Sequence, residues 1–444
     1  MKRRLSIHNL TPAQILSLGY LIVILLGAIL LTLPIATTDG EGMNFLDSVF
    51  TATSATAVTG LIVENTSTFF TMFGQIVILC LIQIGGLGIM SMSTLFALLL
   101  GKKITLRERL IIQQDLDQFE LSGIIRIVKY VIGVTFTIEG IGAFILFIRF
   151  LFEMPVGKAL YFGIFHSISA FNNAGFDIFG NSLENFTGDI VVNLVITSLI
   201  IIGGIGFAVI AEVYSGKRFK NFSLQTKLVL SVTAILLIVG TIICFVLEYS
   251  NPATIGNLPL GEKVIASYFL AVTPRTAGFN TVSTGALRGS TIFFTIILMF
   301  IGASPGSTGG GVKTTTFGAL GAVLYSRATG RDDVELFKRR LGKETIYNAL
   351  SIVLIALLLV VTVTMILTIT ENGEFLDLFF EAVSAFGTVG LSTGVTGSLS
   401  LIGRIVIILT MFAGRVGPLT IALAVGERKD KVNIRYPKEK ILVG

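Results

Sequence analysis

Apolar residues fill this chain in long, nearly unbroken blocks, and polar residues gather in short intervals between them. Eight blocks, near 15–35, 70–100, 124–151, 189–213, 225–248, 290–325, 346–370 and 401–425, reach the length of about 20 residues that a membrane crossing needs. The sixth is interrupted by glycines and hydroxyl residues. Between the members of each consecutive pair lies a shorter, less apolar stretch with helical amphipathicity, at 46–55, 158–170, 262–272 and 375–385. These stretches are too short to cross and too apolar for an exposed loop. Re-entrant half-helices meet both conditions, because irregular backbone at membrane depth is tolerated where it lines a watery cavity.

Each half-helix runs into a variant of one motif. The copies read SATAVTGL, SAFNNAGF, VTPRTAGF and SAFGTVGL, and their glycines are Gly60, Gly175, Gly278 and Gly390. The spacing predicts an all-α integral membrane protein of four helix, re-entrant loop, helix units around a pseudo-fourfold pore, with eight transmembrane helices. The units are expected at 1–101, 102–216, 217–328 and 329–444.

Composition agrees with lipid as the solvent. Of 444 residues, 53% are hydrophobic and 14% charged, whereas soluble domains carry about a quarter charged residues. Basic residues test the topology independently. The segments 1–14, 101–130, 214–227, 326–345 and 426–444 hold 25 of the 33 Lys and Arg. By the positive-inside rule these segments are cytoplasmic, both termini with them, and the four loops enter from outside the plasma membrane. The same asymmetry accounts for the basic patches without a nucleic-acid partner. Met1 to Arg4 resembles a signal-peptide n-region, but the block after it is long enough to span, so it is read as a retained helix. Two cysteines, Cys80 and Cys244, and two histidines, His8 and His166, give no metal-ligand spacing, and no reactive set of an enzyme is visible.

Four converging loops can replace the water of a cation with main-chain oxygens, so the ion binds and still leaves. The residues expected to do so are Val58, Thr59 and Gly60; Asn173, Ala174 and Gly175; Thr276, Ala277 and Gly278; and Thr388, Val389 and Gly390. Glycine supplies positive φ at small steric cost, and the C-terminal ends of the half-helices favour a cation. Arg275 is expected to pair behind this filter.

With all four motifs and the eight-block plan in view, the whole chain resembles the Trk/Ktr/HKT superfamily of potassium transporters, and its length is similar to the Ktr-type membrane subunit. The resemblance implies potassium selectivity, because position 60 is glycine. It also implies a homodimer in membrane lipid, with a pore in each protomer, resting on a cytosolic nucleotide-binding regulatory ring of the RCK type. Potassium is then the cargo, sodium a candidate activator, and no cofactor is expected.

The second helix of each unit carries small residues: Gly85 to Gly88, Gly203 to Gly206, Gly302 to Gly306 and Gly414 to Gly417. For the first two, close helix packing is the expected role. The third extends into a stretch that cannot stay helical against lipid: Gly302, Ala303, Ser304, Pro305, Gly306, Ser307, Thr308, Gly309, Gly310, Gly311, Val312, Lys313 and Thr314, then two further threonines to 316. An unwound gate beneath the filter is expected here. A phosphate-binding loop is not, since Ser307 and Val312 stand where GxxxxGK[ST] needs glycines. An intramembrane arginine costs about 2.5–3.5 kcal/mol on insertion scales, so Arg415 faces a cavity or a partner. It is either a cationic barrier below the filter, as the resemblance implies, or one half of a salt bridge with Glu139 or Glu212. A competing function is an ion-coupled carrier of a small solute, which requires inverted repeats and a membrane-buried carboxylate.

Overall fold

The computed structural model describes residues 11–88, 91–92, 106–115, 124–216 and 218–417, together with Pro437 and Glu439. The protein is mostly helical. From the N-terminus come α1 (Pro12–Leu31), the half-length α2 (Phe45–Thr56) and α3 (Met72–Leu87). Next are α4 (Leu106–Asp115), α5 (Ile124–Phe150), α6 (Val156–Phe171), α7 (Ile190–Gly204) and α8 (Phe207–Tyr214). They are followed by α9 (Leu224–Glu248), α10 (Leu260–Val272), α11 (Gly289–Phe300) and α12 (Thr314–Ala328). The last helices are α13 (Lys343–Thr370), α14 (Phe375–Gly387) and α15 (Leu401–Val416).

Among the described residues, four helices are long and apolar enough to cross a membrane: α1, α5, α9 and α13. Their apolar side chains face outward as well as inward. On α13, Leu354, Leu358, Val361 and Met365 are exposed, while Ala356, Val360 and Leu367 are buried. A helix apolar all round belongs in lipid. α1 starts where Thr11 and Gln14 cap each other, with Thr11 N–H donating to Gln14 Oε1 at 3.0 Å and Gln14 N–H to Thr11 Oγ1 at 3.3 Å.

The half-length helices α2, α6, α10 and α14 hold 12–16 residues, about 18–24 Å at 1.5 Å per residue, short of the roughly 30 Å core of a bilayer. Each packs on the long helix before it. Around the ring, α3 touches α6, α7 touches α10, α11 touches α14, and α15 returns to α2. The core lies in this ring, with Phe50, Phe165, Phe171, Phe269, Phe380 and Phe386 fully buried. The ion pair between Arg404 on α15 and Asp47 in the first turn of α2 helps to fasten the closing contact.

The blocks expected as continuous second helices are broken. α3 ends at Gly88, whose φ is +85°, and α15 ends at Gly417 at +93°. α7 and α8 meet at a 102° bend whose hinge, Gly206, has φ +94°. A left-handed residue cannot continue a right-handed helix, and glycine adopts it without the Cβ penalty. Packing, the role expected of the first two clusters, belongs to the leading glycines. A Cβ on Gly85 would strike the Thr56 carbonyl, one on Gly203 that of Phe171, and one on Gly414 that of Phe386. One end of each cluster thus seats a half-helix, and the other stops the second helix. Between α12 and α13, a two-residue hairpin pairs Glu335–Leu336 with Arg339–Arg340 across left-handed Phe337 and Lys338.

Candidate functional site

At the end of each half-helix the backbone alternates its hand. Val58, Asn173, Thr276 and Thr388 have φ of +57°, +60°, +70° and +50°, and the glycines two positions on have +95°, +68°, +77° and +88°. Thr59, Ala174, Ala277 and Val389 lie between them. Their N–H groups turn back to the half-helices, Thr59 to Ser54 O at 2.7 Å, Ala174 to Ser169 O at 2.8 Å, Ala277 to Thr273 O at 3.0 Å and Val389 to Ser384 O at 2.9 Å. With the donors committed behind, the carbonyls are left for the other side. Left-handed geometry costs about 1–2 kcal/mol for an L residue, and Val58, Thr276 and Thr388 are β-branched. Such strain persists only where the surroundings impose it.

The loops converge in cyclic order. A Cβ on Gly60 would lie 2.5 Å from Ala174 O, one on Gly175 2.8 Å from Ala277 O, and one on Gly278 2.5 Å from Val389 O. One on Gly390 would strike Thr59 O. Each glycine therefore faces the carbonyl that precedes the next glycine, and the fourth loop closes on the first. Hydroxyls hold the loops from behind. Ser54 Oγ accepts from Gly60 N–H at 3.0 Å and Ser384 Oγ from Gly390 N–H at 3.1 Å. Ser169 Oγ donates to Phe176 O at 2.7 Å and Thr273 Oγ1 to Phe279 O at 2.5 Å. These four residues were missing from the expected site, although a hydroxyl stands first in three motif copies and second in the third, as Thr273.

The unwound stretch runs directly below loops three and four. A Cβ on Gly310 would lie 2.5 Å from Thr388 Oγ1, and one on Gly309 would strike Thr276 Oγ1. Its backbone groups find protein partners, as lipid demands. Gly302 N–H donates to Val312 O (2.9 Å), Ser304 N–H to Gly204 O (3.0 Å), Thr308 N–H to Gly203 O (3.2 Å) and Gly310 N–H to Thr388 Oγ1 (3.2 Å). Phe207 N–H donates to Gly306 O at 2.9 Å, and Lys313 Nζ to Gly309 O at 3.0 Å. Ser304 Oγ and Thr314 Oγ1 lie 2.8 Å apart, and Ser307 Oγ donates to Ser304 O at 2.6 Å. The segment crosses from its own unit to α7 and to loop four.

Arg415 reaches into the same space. Its guanidinium donates to the carbonyls of Thr308 and Gly85, and to Gly86 O at 3.4 Å. Neither Glu139 nor Glu212 is a partner, because three main-chain carbonyls already occupy the planar fork. Arg415 thus ties the unwound stretch to the C-terminal end of α3. Arg275 is buried behind loop three as expected, but its hydrogen bond is to Thr233 Oγ1 at 3.2 Å and not to an acid.

Glu139 instead lies behind loop two. Its Oε1 accepts from Asn172 Nδ2 at 2.9 Å and its Oε2 from Gln83 Nε2 at 3.3 Å, while Gln83 Oε1 accepts from Asn172 Nδ2 at 3.0 Å. A buried carboxylate satisfied by two amides holds Asn172, the residue that caps α6, against α3. Among the described residues, no group of three or more His, Cys, Asp or Glu is arranged to hold a metal.

The chain matches the family model described as TrkH, cation transport protein, over residues 9–433. It is 46% identical to the Ktr system potassium uptake protein B of Bacillus subtilis over 434 residues, 98% of this chain and 97% of that protein. It is 39% identical to the potassium/sodium uptake protein NtpJ of Enterococcus hirae, covering 100% of this chain and 99% of that one. Its fold is similar to the crystal structure of the potassium transporter TrkH from Vibrio parahaemolyticus, with a TM-score of 0.72 and 19% identity over 96% of this chain and 87% of that chain. The chain belongs to the TrkH family of cation transport proteins, and it is a multi-pass membrane transporter, not an enzyme.

Proposed function

We propose that the chain carries potassium into the cell through one pore formed by four units, 1–101, 102–216, 217–328 and 329–444, with eight membrane crossings and both termini cytoplasmic. The observation that carries this reading is the head-to-tail order of Gly60, Gly175, Gly278 and Gly390. A cyclic set of loops whose donors are tied back leaves carbonyls for a dehydrated cation, and fixed acids are not needed. Val58, Thr59, Asn173, Ala174, Thr276, Ala277, Thr388 and Val389 supply the remaining oxygens of this filter.

The stretch from Gly302 to Thr314 acts as the gate, with Arg415 as its latch and its positive barrier. Its position against Thr276 and Thr388 supports this role. A regulatory subunit on the cytoplasmic side, a nucleotide-binding ring, shifts the latch, and the chain works as a homodimer. The names of the relatives, a Ktr system potassium uptake protein and a potassium/sodium uptake protein, support potassium as cargo and link sodium to one relative; an activating role for sodium is part of this proposal.

The test is cation flux into liposomes containing the purified chain, alone and with the cytosolic partner. Saturable uptake of K+ and Rb+, with Na+ carried at least about tenfold more slowly, is the expected result for a carbonyl filter. Equal K+ and Na+ flux, or uptake of an organic solute coupled to either ion, overturns the reading.

A further inference from the structure

A cavity of about 230 Å³ opens on the face of the glycine ring opposite Arg415. Its side is fixed by its lining. The unwound stretch meets residues before the glycines, whereas the cavity is built from residues after them, including Asn280, Ser392 and Thr393, with Gly278 and Gly390 at its floor. It lies over loops three and four and takes one side chain from another unit, Glu184, which precedes α7.

Glu184 is held in place without being used up. Its Oε1 accepts from Asn280 Nδ2 at 2.8 Å, and its Oε2 accepts from none of the described residues. Elsewhere near the ring, carboxylates are committed to the protein. Both oxygens of Glu381 accept hydroxyls, from Ser392 at 2.8 Å and Thr396 at 2.6 Å, and Asp177 caps the N–H groups of Phe179 and Gly180. Among the described residues, no lysine or arginine lines the cavity.

We infer that this cavity is an entry site for a partly hydrated monovalent cation, with Glu184 as its charged ligand; the inference rests on the conduction reading above. One carboxylate suits a single positive charge, while calcium draws six to eight oxygens, usually several carboxylates among them. The room accommodates an ion with several of its waters, so dehydration is shared between this site and the ring. A fixed negative charge at a pore mouth raises the local cation concentration, and salt screens the effect.

The test compares the parent chain with Glu184→Gln and Glu184→Lys in liposomes, measuring initial K+ uptake against K+ concentration on the cavity side. Glu184→Gln is expected to raise KM about threefold and Glu184→Lys more, with the maximal rate changing less than KM, and high choline chloride shrinking the difference. A KM unchanged in both variants overturns the site. So does a fall in maximal rate that merely tracks the amount of folded protein. A structure determined in Rb+ gives a second, independent reading: an anomalous peak beside Glu184 Oε2, absent in Glu184→Gln, supports the site, and an empty cavity at saturating Rb+ overturns it. If the parent chain carries no K+, the conduction reading fails by itself, while the Rb+ peak still decides whether the cavity holds a cation.

Discussion

Gly390 faces the carbonyl of Thr59, so the last glycine loop of the chain closes on the first. A methyl group at Gly390 has nowhere to go, since its near neighbours are the main chain of Thr59 and Gly60 and its φ is +88°. Gly390→Ala and Gly60→Ala are therefore expected to lower K+ over Na+ discrimination by about tenfold or more, through displaced carbonyls and about 1–2 kcal/mol of backbone strain each. Gly40→Ala is the control. Gly40 has φ +72° and nothing within 4 Å of an added Cβ, so it carries the strain but leaves selectivity unchanged. Competitive Rb+ uptake at rising Na+ measures both.

Arg415 donates to Thr308 O and to Gly85 O, in two different units. Arg415→Gln removes the charge and the fork together, and the maximal K+ flux is expected to rise severalfold. Arg415→Lys keeps the charge but cannot bridge the two carbonyls in one plane. If the latch is what limits flux, Lys behaves like Gln; if the barrier does, Lys behaves like the parent. Removing residues 305–312 is expected to raise flux in the same assay.

Glu139 touches no ion in this account, yet its carboxylate accepts from both Gln83 and Asn172. Glu139→Gln keeps the shape but replaces one acceptor by a donor that meets another donor. Stability is expected to fall by about 1–3 kcal/mol, the penalty for an unsatisfied buried group, read as a lower Tm in detergent. Because Asn172 precedes Asn173 to Gly175, discrimination against Na+ also weakens. A solute carrier coupled through Glu139 would instead lose transport outright.

The amphipathic stretches read at 46–55, 158–170, 262–272 and 375–385 lie inside α2, α6, α10 and α14, because a short helix with one buried face writes its period into local sequence. The left-handed turn at Val58, Thr276 and Thr388 was not legible. Intrinsic preference opposes it at β-branched residues, and only the seats around Ser54, Thr273 and Ser384 impose it. The breaks at Gly88 and Gly417 were hidden for a different reason: a glycine in a lipid helix serves packing as readily as termination. The partners of Arg415 are main-chain carbonyls, which carry no side-chain signature. Glu139 meets residues 56 and 33 positions away, one on α3 and one capping α6, a pairing no local pattern announces.

Glu371, just past the apolar span of α13, is expected to make stability depend on pH. Burial alone would raise its pKa, but hydrogen bonds from Ser400 N–H at 2.8 Å and Ser400 Oγ at 2.6 Å outweigh it and hold it below the ordinary carboxylate range. A carboxylate with a lowered folded pKa stabilises above its unfolded value of about 4.5 and loses that contribution as pH falls through the folded pKa. Glu371→Gln is therefore expected to lower Tm at pH 7 and to match the parent once the medium is acidic enough to protonate the native carboxyl. A Tm difference independent of pH would contradict this.

The most direct measurement locates the ion. Anomalous scattering from crystals of the chain grown in Rb+ is expected to place a peak between the carbonyls of Thr59, Ala174, Ala277 and Val389, shared by all four loops and weakened when Na+ replaces Rb+. Rb+ bound elsewhere with that position empty, or a peak that Na+ reproduces in full, would contradict the account.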